Sequence, residues 1–255
     1  MSELKSQAIM RYPRSAEKDI QILVGAYFAE IAKDARGLRL DAKDKHLEKL
    51  AFGAAVAGGL KKVADKVQAQ TLKEWKRCVR STLGIELQDK YYLGGLYTPE
   101  VNKWLLGVMQ QLSELPGAVR SAVKKVMQQC AGQSWTMIRK AVNKKLSAML
   151  RAAKSRAANA VAALFGVLNR KQQQDAGCDK YYWLSARDDR VRPCHRALDG
   201  HYFQWSNPPE MWVDTPHGRR YTGRRCNPGE DYGCRCIAIP VFDTDDYKRG
   251  VVHNG

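Results

Sequence analysis

The sequence lacks the long apolar segments that characterise membrane-spanning and exported proteins. Its mean hydropathy is −0.49, and it contains no run of about 18 apolar residues, so we expect no transmembrane helix. The N-terminal segment, MSELKSQAIM, has no apolar core of the kind found in signal peptides. We therefore expect the chain to stay in a reducing compartment, where its seven cysteines are free thiols or metal ligands rather than disulfides.

Acidic residues are absent from a long central stretch. None occurs between Glu114 and Asp175, although the 60 residues between them include twelve Lys and Arg. The chain has a formal net charge of +17, and residues 1–180 carry +16 of it. Solvated surfaces normally mix both signs, because like charges repel one another. We therefore predict an anionic partner, in the first place nucleic acid.

Two other interpretations of this stretch stay open. It could be a merely soluble helical face, or it could bind a membrane surface, although interfacial helices usually have more aromatic residues. The residues predicted to bind nucleic acid are Arg120, Lys124, Lys125, Arg139, Lys140, Lys144, Lys145, Arg151, Lys154 and Arg156.

Helical periodicity dominates the first 176 residues. Apolar side chains recur at intervals of three and four residues in each of several segments. The first predicted helix begins at Ser15, and the second runs from about Asp44 to Thr82. The third runs from Thr98 to near Pro116, and helix continues over 117–174 with a break near Gly132. Segment 51–60 is rich in small residues, which indicates either a close helix–helix contact or a break. Segment 83–98, with Gly94 and Gly95, is expected to be a loop or short hairpin.

The composition changes after Gly177. Residues 178–242 contain six of the nine Pro, three of the six Trp and five of the seven Cys. The runs at 181–186 and 236–242 are strand-like, with turn-rich sequence between them. We predict an α+β fold with a mostly helical, basic N-terminal body over 1–176. A small module that contains cysteine, histidine and strands follows over 177–242, and 243–255 form a tail.

This module, which we call the Cys/His module, has the composition of a metal site. Zinc takes four nitrogen or sulfur ligands, and a short loop-rich module gains stability from such a cross-link. Cys234 and Cys236 are two residues apart, so in a strand they face the same way. No C-x-x-C pair is present. Zinc binding, a disulfide or close thiol packing, and unconnected structural roles all stay open. The candidate metal ligands are His195, Cys194, Cys226, Cys234 and Cys236.

Paired carboxylates precede the histidine of the module. Asp188 and Asp189 near His195 could serve metal-assisted hydrolysis, whereas Asp-Asp followed by arginines more often forms a salt-bridged turn. Spacing alone identifies no nucleophile–base pair. We therefore expect no enzymatic activity, and the alternative is a metal-dependent nuclease or another DNA-processing enzyme that uses the Asp, His and Cys residues.

The run SARDDRVRPCHRALDGHYF, followed by NPP and by NPGEDYGCRCIAIPV, resembles the Mu F-like phage head morphogenesis family, the phage minor head proteins. The family pattern is Asp-x-Arg-Val-Arg-x-x-His, then Leu-x-Gly, then prolines and a final Cys-Arg-Cys. The first part is matched by Asp188 or Asp189, Arg190, Val191, Arg192, Pro193, His195, Leu198 and Gly200, and the second by Pro228, Gly229, Glu230, Asp231, Cys234, Arg235 and Cys236. The resemblance covers roughly residues 180–240.

The resemblance implies a virion component of the head interior or portal vertex, present in the host cytoplasm during assembly. It implies a role in head morphogenesis or in genome packaging and delivery, with the portal or the major capsid protein as partner and several copies per particle. The basic stretch adds double-stranded DNA, bound without sequence preference. The resemblance also implies metal ligands at His195, Cys234 and Cys236. The small residues of 51–60 motivate a weaker alternative, a delivery element that faces the portal or a membrane.

Overall fold

The computed structural model describes residues 9–36, 53–88 and 97–242, and it confirms the α+β fold. The helices are α1 (Arg14–Arg36), α2 (Ala54–Leu83), α3 (Thr98–Ser113), α4 (Leu115–Gln129), α5 (Trp135–Asp175) and α6 (Pro193–Leu198). The strands are β1 (Lys180–Leu184), β2 (Tyr202–Gln204), β3 (Glu210–Thr215), β4 (Gly218–Arg225) and β5 (Ile237–Val241). Within the described ranges, no helix has the length and apolar character needed to cross a membrane.

Local sequence signals set most of the helix ends. Helix α3 begins at Thr98 as predicted and ends at Ser113, close to the predicted end near Pro116, while Pro116 itself lies in the first turn of α4. This is where proline is tolerated, since the first amides of a helix have no intrahelical acceptor. The predicted break is confirmed, because Gly132 adopts φ +83° in the turn between α4 and α5. Predicted helix 44–53 and loop 89–96 lie largely outside the described residues.

The glycines of α2 mark a close helix contact rather than a break. Helix α2 is continuous through Gly58 and Gly59. A Cβ atom at Gly59 would lie 2.8 Å from Cδ1 of Leu23 in α1, whereas at Gly58 it would meet no described atom within 4 Å. The missing side chain at Gly59 therefore leaves room for the Leu23 side chain of α1.

The described residues divide into two compact units. The first, which we call the strand unit, consists of residues 9–13, 66–88, 97–100 and 162–242. The second, the helical unit, consists of residues 14–36, 53–65 and 101–161. The boundary predicted from composition at residue 176 stays a prediction.

The helical unit is held together by apolar helix faces. Helix α1 packs against α4, and the indole N–H of Trp104 in α3 donates to the Ala160 carbonyl of α5 at 2.7 Å. Along α5, apolar side chains that recur at intervals of three and four residues are buried at Leu146, Ala153 and Ala157. Burial of such a face is the main source of helix stability in proteins.

The strand unit contains two antiparallel sheets. Strand β1 is central in the first sheet, whose order is β2-β1-β5, and β3 and β4 form a separate hairpin. Three tryptophans, Trp183, Trp205 and Trp212, form a core with Tyr181, Met211, Ala238 and three of the cysteines. The aromatic enrichment of the Cys/His module thus supplies the interior of a small fold.

The last turns of α5 form one wall of this unit. Gly166 of α5 approaches the Pro228–Gly229 backbone so closely that a Cβ atom would lie 3.1 Å from the Pro228 carbonyl oxygen. Buried Asn169 and Gln173 both donate to the Ala238 carbonyl of β5, at 2.8 and 2.9 Å. Helix α5 therefore supports the segments that carry the candidate ligands.

Candidate metal centre and basic surface

His195 lies in the short helix α6 and is buried. Its ring packs edge-on against Trp183 of β1, with ring centroids 5.6 Å apart and planes at 81°. Trp183 is itself fully buried. This packing fixes the imidazole so that both of its nitrogens meet polar groups in the interior.

Cys234 and Cys236 direct their sulfurs at the same nitrogen of His195. Each Sγ lies 3.5 Å from His195 Nδ1, and the three atoms lie within 4.8 Å of one another. Both cysteines precede β5 instead of lying within it. Their side chains nonetheless point to the same side of the chain, whereas the side chain of Arg235 between them contacts Asp188.

Several donors surround the sulfur of Cys234. It accepts backbone N–H groups from Gly229 at 3.3 Å and from Cys236 at 3.4 Å. The hydrogen bond from the Cys236 thiol is the main cause that lowers the pKa of Cys234 well below its usual value in spite of burial, and the Gly229 backbone N–H contributes. Donors stabilise the thiolate, which is the form that binds metals.

Asp231 faces the second nitrogen of His195. Its Oδ2 lies 3.4 Å from His195 Nε2, and the carboxylate also pairs with Arg192 and Arg224. A carboxylate beside Nε2 favours the tautomer that carries its proton there, which leaves the Nδ1 lone pair directed at the two sulfurs. Carboxylates orient metal-binding histidines in this way. The sequence analysis assigned no role to Asp231. Its position in the motif, three residues before Cys234, was the signal that could have indicated one.

The donor set fits zinc. Two sulfurs and one imidazole nitrogen are ligands that zinc prefers, and a protonated second nitrogen with a carboxylate partner is the usual surrounding of such a histidine. His195, Cys234 and Cys236 would hold the ion, which would cross-link α6 to the segment before β5. Zinc as the bound ion stays a prediction.

The other two candidate ligands lie outside this group. Cys194 Sγ accepts the Trp212 backbone N–H at 3.5 Å and lies 3.8 Å from Met211 Sδ. Cys226 is half-buried and packs against the aromatic core. None of the seven cysteines, all of which lie in the described ranges, forms a disulfide. The structure therefore brings together three of the five, and a ligand role for Cys194 and Cys226 stays a prediction.

The paired carboxylates do not join this group. Both oxygens of Asp188 accept from the Arg235 guanidinium, at 2.6 and 2.7 Å. This bidentate hydrogen bonding is the main cause that lowers the pKa of Asp188 to about 2. Asp189 is exposed and forms no ion pair with any described residue. Asp188 thus ties the segment before α6 to the Cys-Arg-Cys segment.

The ten cations predicted to bind nucleic acid all lie on α4 and α5 in the helical unit. Eight are exposed, and Arg120 and Lys154 are half-buried. The end of the Lys154 side chain lies against Gly25 of α1, where an added Cβ atom would be 2.9 Å from Lys154 Cε. Among the residues that the structure describes, none of the ten has an ion-pair partner. We call these ten residues the basic surface.

The last two cations of the acid-free stretch behave differently. Arg170 pairs with Glu230 at 2.7 Å, and Lys171 pairs with Glu100 at 3.6 Å. Both belong to the strand unit. Their charges are locally compensated, so the uncompensated charge of the stretch is confined to the helical unit.

Helix α5 arranges part of the basic surface in a row. Lys140, Lys144 and Arg151 are separated by four and then seven residues, which is about three helical turns in all and spans about 16 Å. All three are exposed, and the helical period puts them opposite the buried Val142 and Ala153. The row therefore presents three cations along one solvent-facing side.

Comparisons with known proteins concern both the candidate metal centre and the basic surface. Residues 113–239 match the model of the family described as Phage Mu protein F like protein, a range that includes the basic surface and the group of three ligands. An uncharacterized protein of Haemophilus influenzae is 26% identical over 254 residues, which cover 94% of this chain and 52% of the relative. The chain thus spans about half the length of the curated relative it matches. No solved structure matches it significantly.

Proposed function

Because the chain belongs to the Phage Mu protein F-like family through residues 113–239, we propose that it is a minor head protein of a tailed phage that contacts packaged DNA. Family membership by itself gives a phage head-related protein and suggests the virion as its location. A position at the portal vertex or in the head interior belongs to the proposal. The proposal also includes contact with the portal or major capsid protein and a role in morphogenesis, packaging or delivery.

The basic surface is the observation that carries the DNA contact. Its ten cations have no ion-pair partner among the described residues, and eight of them are exposed. Each cation that neutralises a phosphate releases condensed counterions, which favours binding without regard to base sequence. A minor head protein meets whatever sequence is packaged, so a contact of this kind suits it.

The group formed by His195, Cys234 and Cys236 has a structural role in this proposal. All three side chains are at most 5% exposed, so an ion held among them would be shielded from a substrate. We therefore propose that the protein is not an enzyme. Purified chain is expected to leave duplex DNA intact with added divalent metal. Cleavage by the parent that is absent in His195→Ala would instead identify a nuclease.

Salt dependence of DNA binding tests the proposed contact. The variant Lys140→Gln/Lys144→Gln/Arg151→Gln removes the row on α5. Its control, Lys18→Gln/Lys33→Gln/Arg36→Gln, removes the same charge from exposed positions of α1, which also contains Glu17 and Glu30. Affinity for unrelated duplexes is measured between about 50 and 200 mM salt, a range over which phosphate contacts are strongly weakened.

The parent is expected to bind all duplexes alike and to weaken steeply with salt. Loss of three phosphate contacts should reduce the slope of log affinity against log salt by about 3 in the row variant. The α1 control should keep the parental slope. Salt-insensitive binding, no binding, or equal slopes in the two variants would overturn the DNA contact.

A further inference from the structure

The β3–β4 hairpin, residues 210–225, carries an exposed cationic strand that the basic surface does not include. Strand β4 has the sequence GRRYTGRR, with four arginines and no acid, and every one of its residues is exposed. The Cys/His module is nearly neutral as a whole, since residues 177–242 contain ten basic and eight acidic side chains. Its positive charge is therefore concentrated locally on this strand.

Strand β3 anchors the hairpin. Met211 and Trp212 are buried in the aromatic core, and the Thr222 hydroxyl of β4 donates to the Met211 carbonyl at 2.8 Å. At the tip, Thr215 pairs with Gly218 across a two-residue turn, and Gly218 has φ +103°. One strand is thus fixed in the core while the other faces solvent.

The arginines of β4 divide into two pairs. Arg224 pairs with Asp231 at 3.2 Å, and Arg225 donates to Asn207 Oδ1 at 2.7 Å and to the Pro208 carbonyl at 2.9 Å. These two side chains connect the base of the hairpin to the module. Their contacts explain their presence without any external partner.

Arg219 and Arg220, near the tip, have no such partner. Among the described residues neither forms an ion pair, although Asp214 of β3 is the cross-strand partner of Arg219. The Arg219 guanidinium lies over the Trp212 ring, 4.2 Å from its centroid. This stacking fixes the guanidinium while its edge N–H groups stay available to an acceptor.

We propose that the β3–β4 hairpin is a second contact to double-stranded DNA, in which Arg219 and Arg220 bind backbone phosphates. The inference rests on the proposed function, since packaged DNA is the polyanion that a head protein meets. A two-stranded ribbon fits the major groove, which is about 12 Å wide. Arg and Tyr side chains are frequent phosphate ligands, and Tyr221, 60% exposed, follows the two arginines.

The variant Arg219→Gln/Arg220→Gln in the full chain tests this contact. Lys18→Gln/Lys33→Gln on α1 is the control with the same change of charge. Loss of two phosphate contacts should reduce the slope of log affinity against log salt by about 2, so the affinity lost between 50 and 200 mM salt falls by about tenfold. The control should keep the parental slope, and thermal melting confirms that both variants fold.

The outcomes separate this contact from the one on α5. A parental slope in the hairpin variant, with a reduced slope in the α5 row variant, would overturn the hairpin contact and keep the proposed function. A reduced slope in the hairpin variant alone would support the hairpin and overturn the contact on α5. Absence of salt-dependent binding in the parent would overturn both.

Discussion

At the scale of single residues, the candidate metal centre depends on His195 and the groups at its two nitrogens. Nδ1 faces the sulfurs of Cys234 and Cys236 at 3.5 Å, and Nε2 faces Asp231 at 3.4 Å. The histidine thus connects a sulfur pair to a carboxylate that two arginines also hold. This arrangement orients three side chains that could hold a metal ion.

We expect purified protein to contain about one zinc ion per chain. Cys234→Ser/Cys236→Ser should lose the metal and melt at a lower temperature, because the ion links α6 to the segment before β5. Cys130→Ser, in the turn after α4, should keep both the zinc content and the melting temperature. Metal analysis and thermal melting provide the two readouts. Metal-free parent protein, together with an unchanged melting point in the double variant, would reject the zinc site.

The Asp188–Arg235 pair predicts a dependence of stability on pH. Because the pKa of Asp188 is lowered to about 2 in the folded protein, its charge stabilises the fold above the usual carboxyl range. That contribution is lost as the pH falls from about 4 towards 2. Asp188→Asn should therefore be less stable than the parent at neutral pH, and the difference should shrink on acidification.

Denaturant unfolding at a series of pH values measures this difference. Asp189→Asn is the matched control, since Asp189 is adjacent, exposed and without an ion pair to any described residue. It should follow the parent throughout. A stability difference for Asp188→Asn that is constant across the acidic range would show that the carboxylate charge is not what holds Arg235.

Sequence reasoning indicated the three side chains of this group, together with Cys194 and Cys226 outside it, but not the residues that support the group. The Cys-Arg-Cys spacing and the motif histidine indicated His195, Cys234 and Cys236, and the structure brings these three together. The role of Asp231 depends on a contact with a residue 36 positions away, which no local pattern encodes. The same holds for Arg235 and Asp188, which are 47 positions apart.

At the scale of elements, glycines determine how closely the helices and loops approach one another. Gly59 admits Leu23 of α1, and Gly166 of α5 meets the Pro228–Gly229 backbone. Periodicity predicted these helices, and Gly132 correctly predicted the break before α5. The small-residue segment of α2 stayed ambiguous in the sequence, because a contact and a break call for the same residues. Only the position of Leu23 distinguishes them.

Adjacent glycines in α2 offer a matched test of that contact. Gly58→Ala should raise the free energy of unfolding by about 1 kcal/mol, because alanine has the higher helix propensity. The added methyl group would meet no described atom within 4 Å. Gly59→Ala should gain less than half as much or lose stability, because Leu23 must move to admit the new methyl group. Equal gains at the two positions, measured by denaturant unfolding, would contradict the close approach of α1.

At the scale of the whole molecule, the net charge of +17 is unevenly distributed. Residues 1–180 carry +16, and the uncompensated part of the acid-free stretch lies on α4 and α5 of the helical unit. The Cys/His module carries the motif of the family and its candidate metal centre. The helical unit thus carries the charge behind the proposed DNA contact, and the module carries the motif behind the proposed role in the phage head. The matched relative is about twice as long.

Cross-linking inside assembled particles tests whether the basic surface lies against packaged DNA. A photoreactive residue is introduced at position 144, in the row on α5, or at position 18 on the mixed-charge helix α1. DNA-filled heads that contain the chain are then irradiated. We predict DNA adducts at position 144 and few or none at position 18. Heads that incorporate both variants but yield no DNA adduct at position 144, or equal yields at the two positions, would contradict the account.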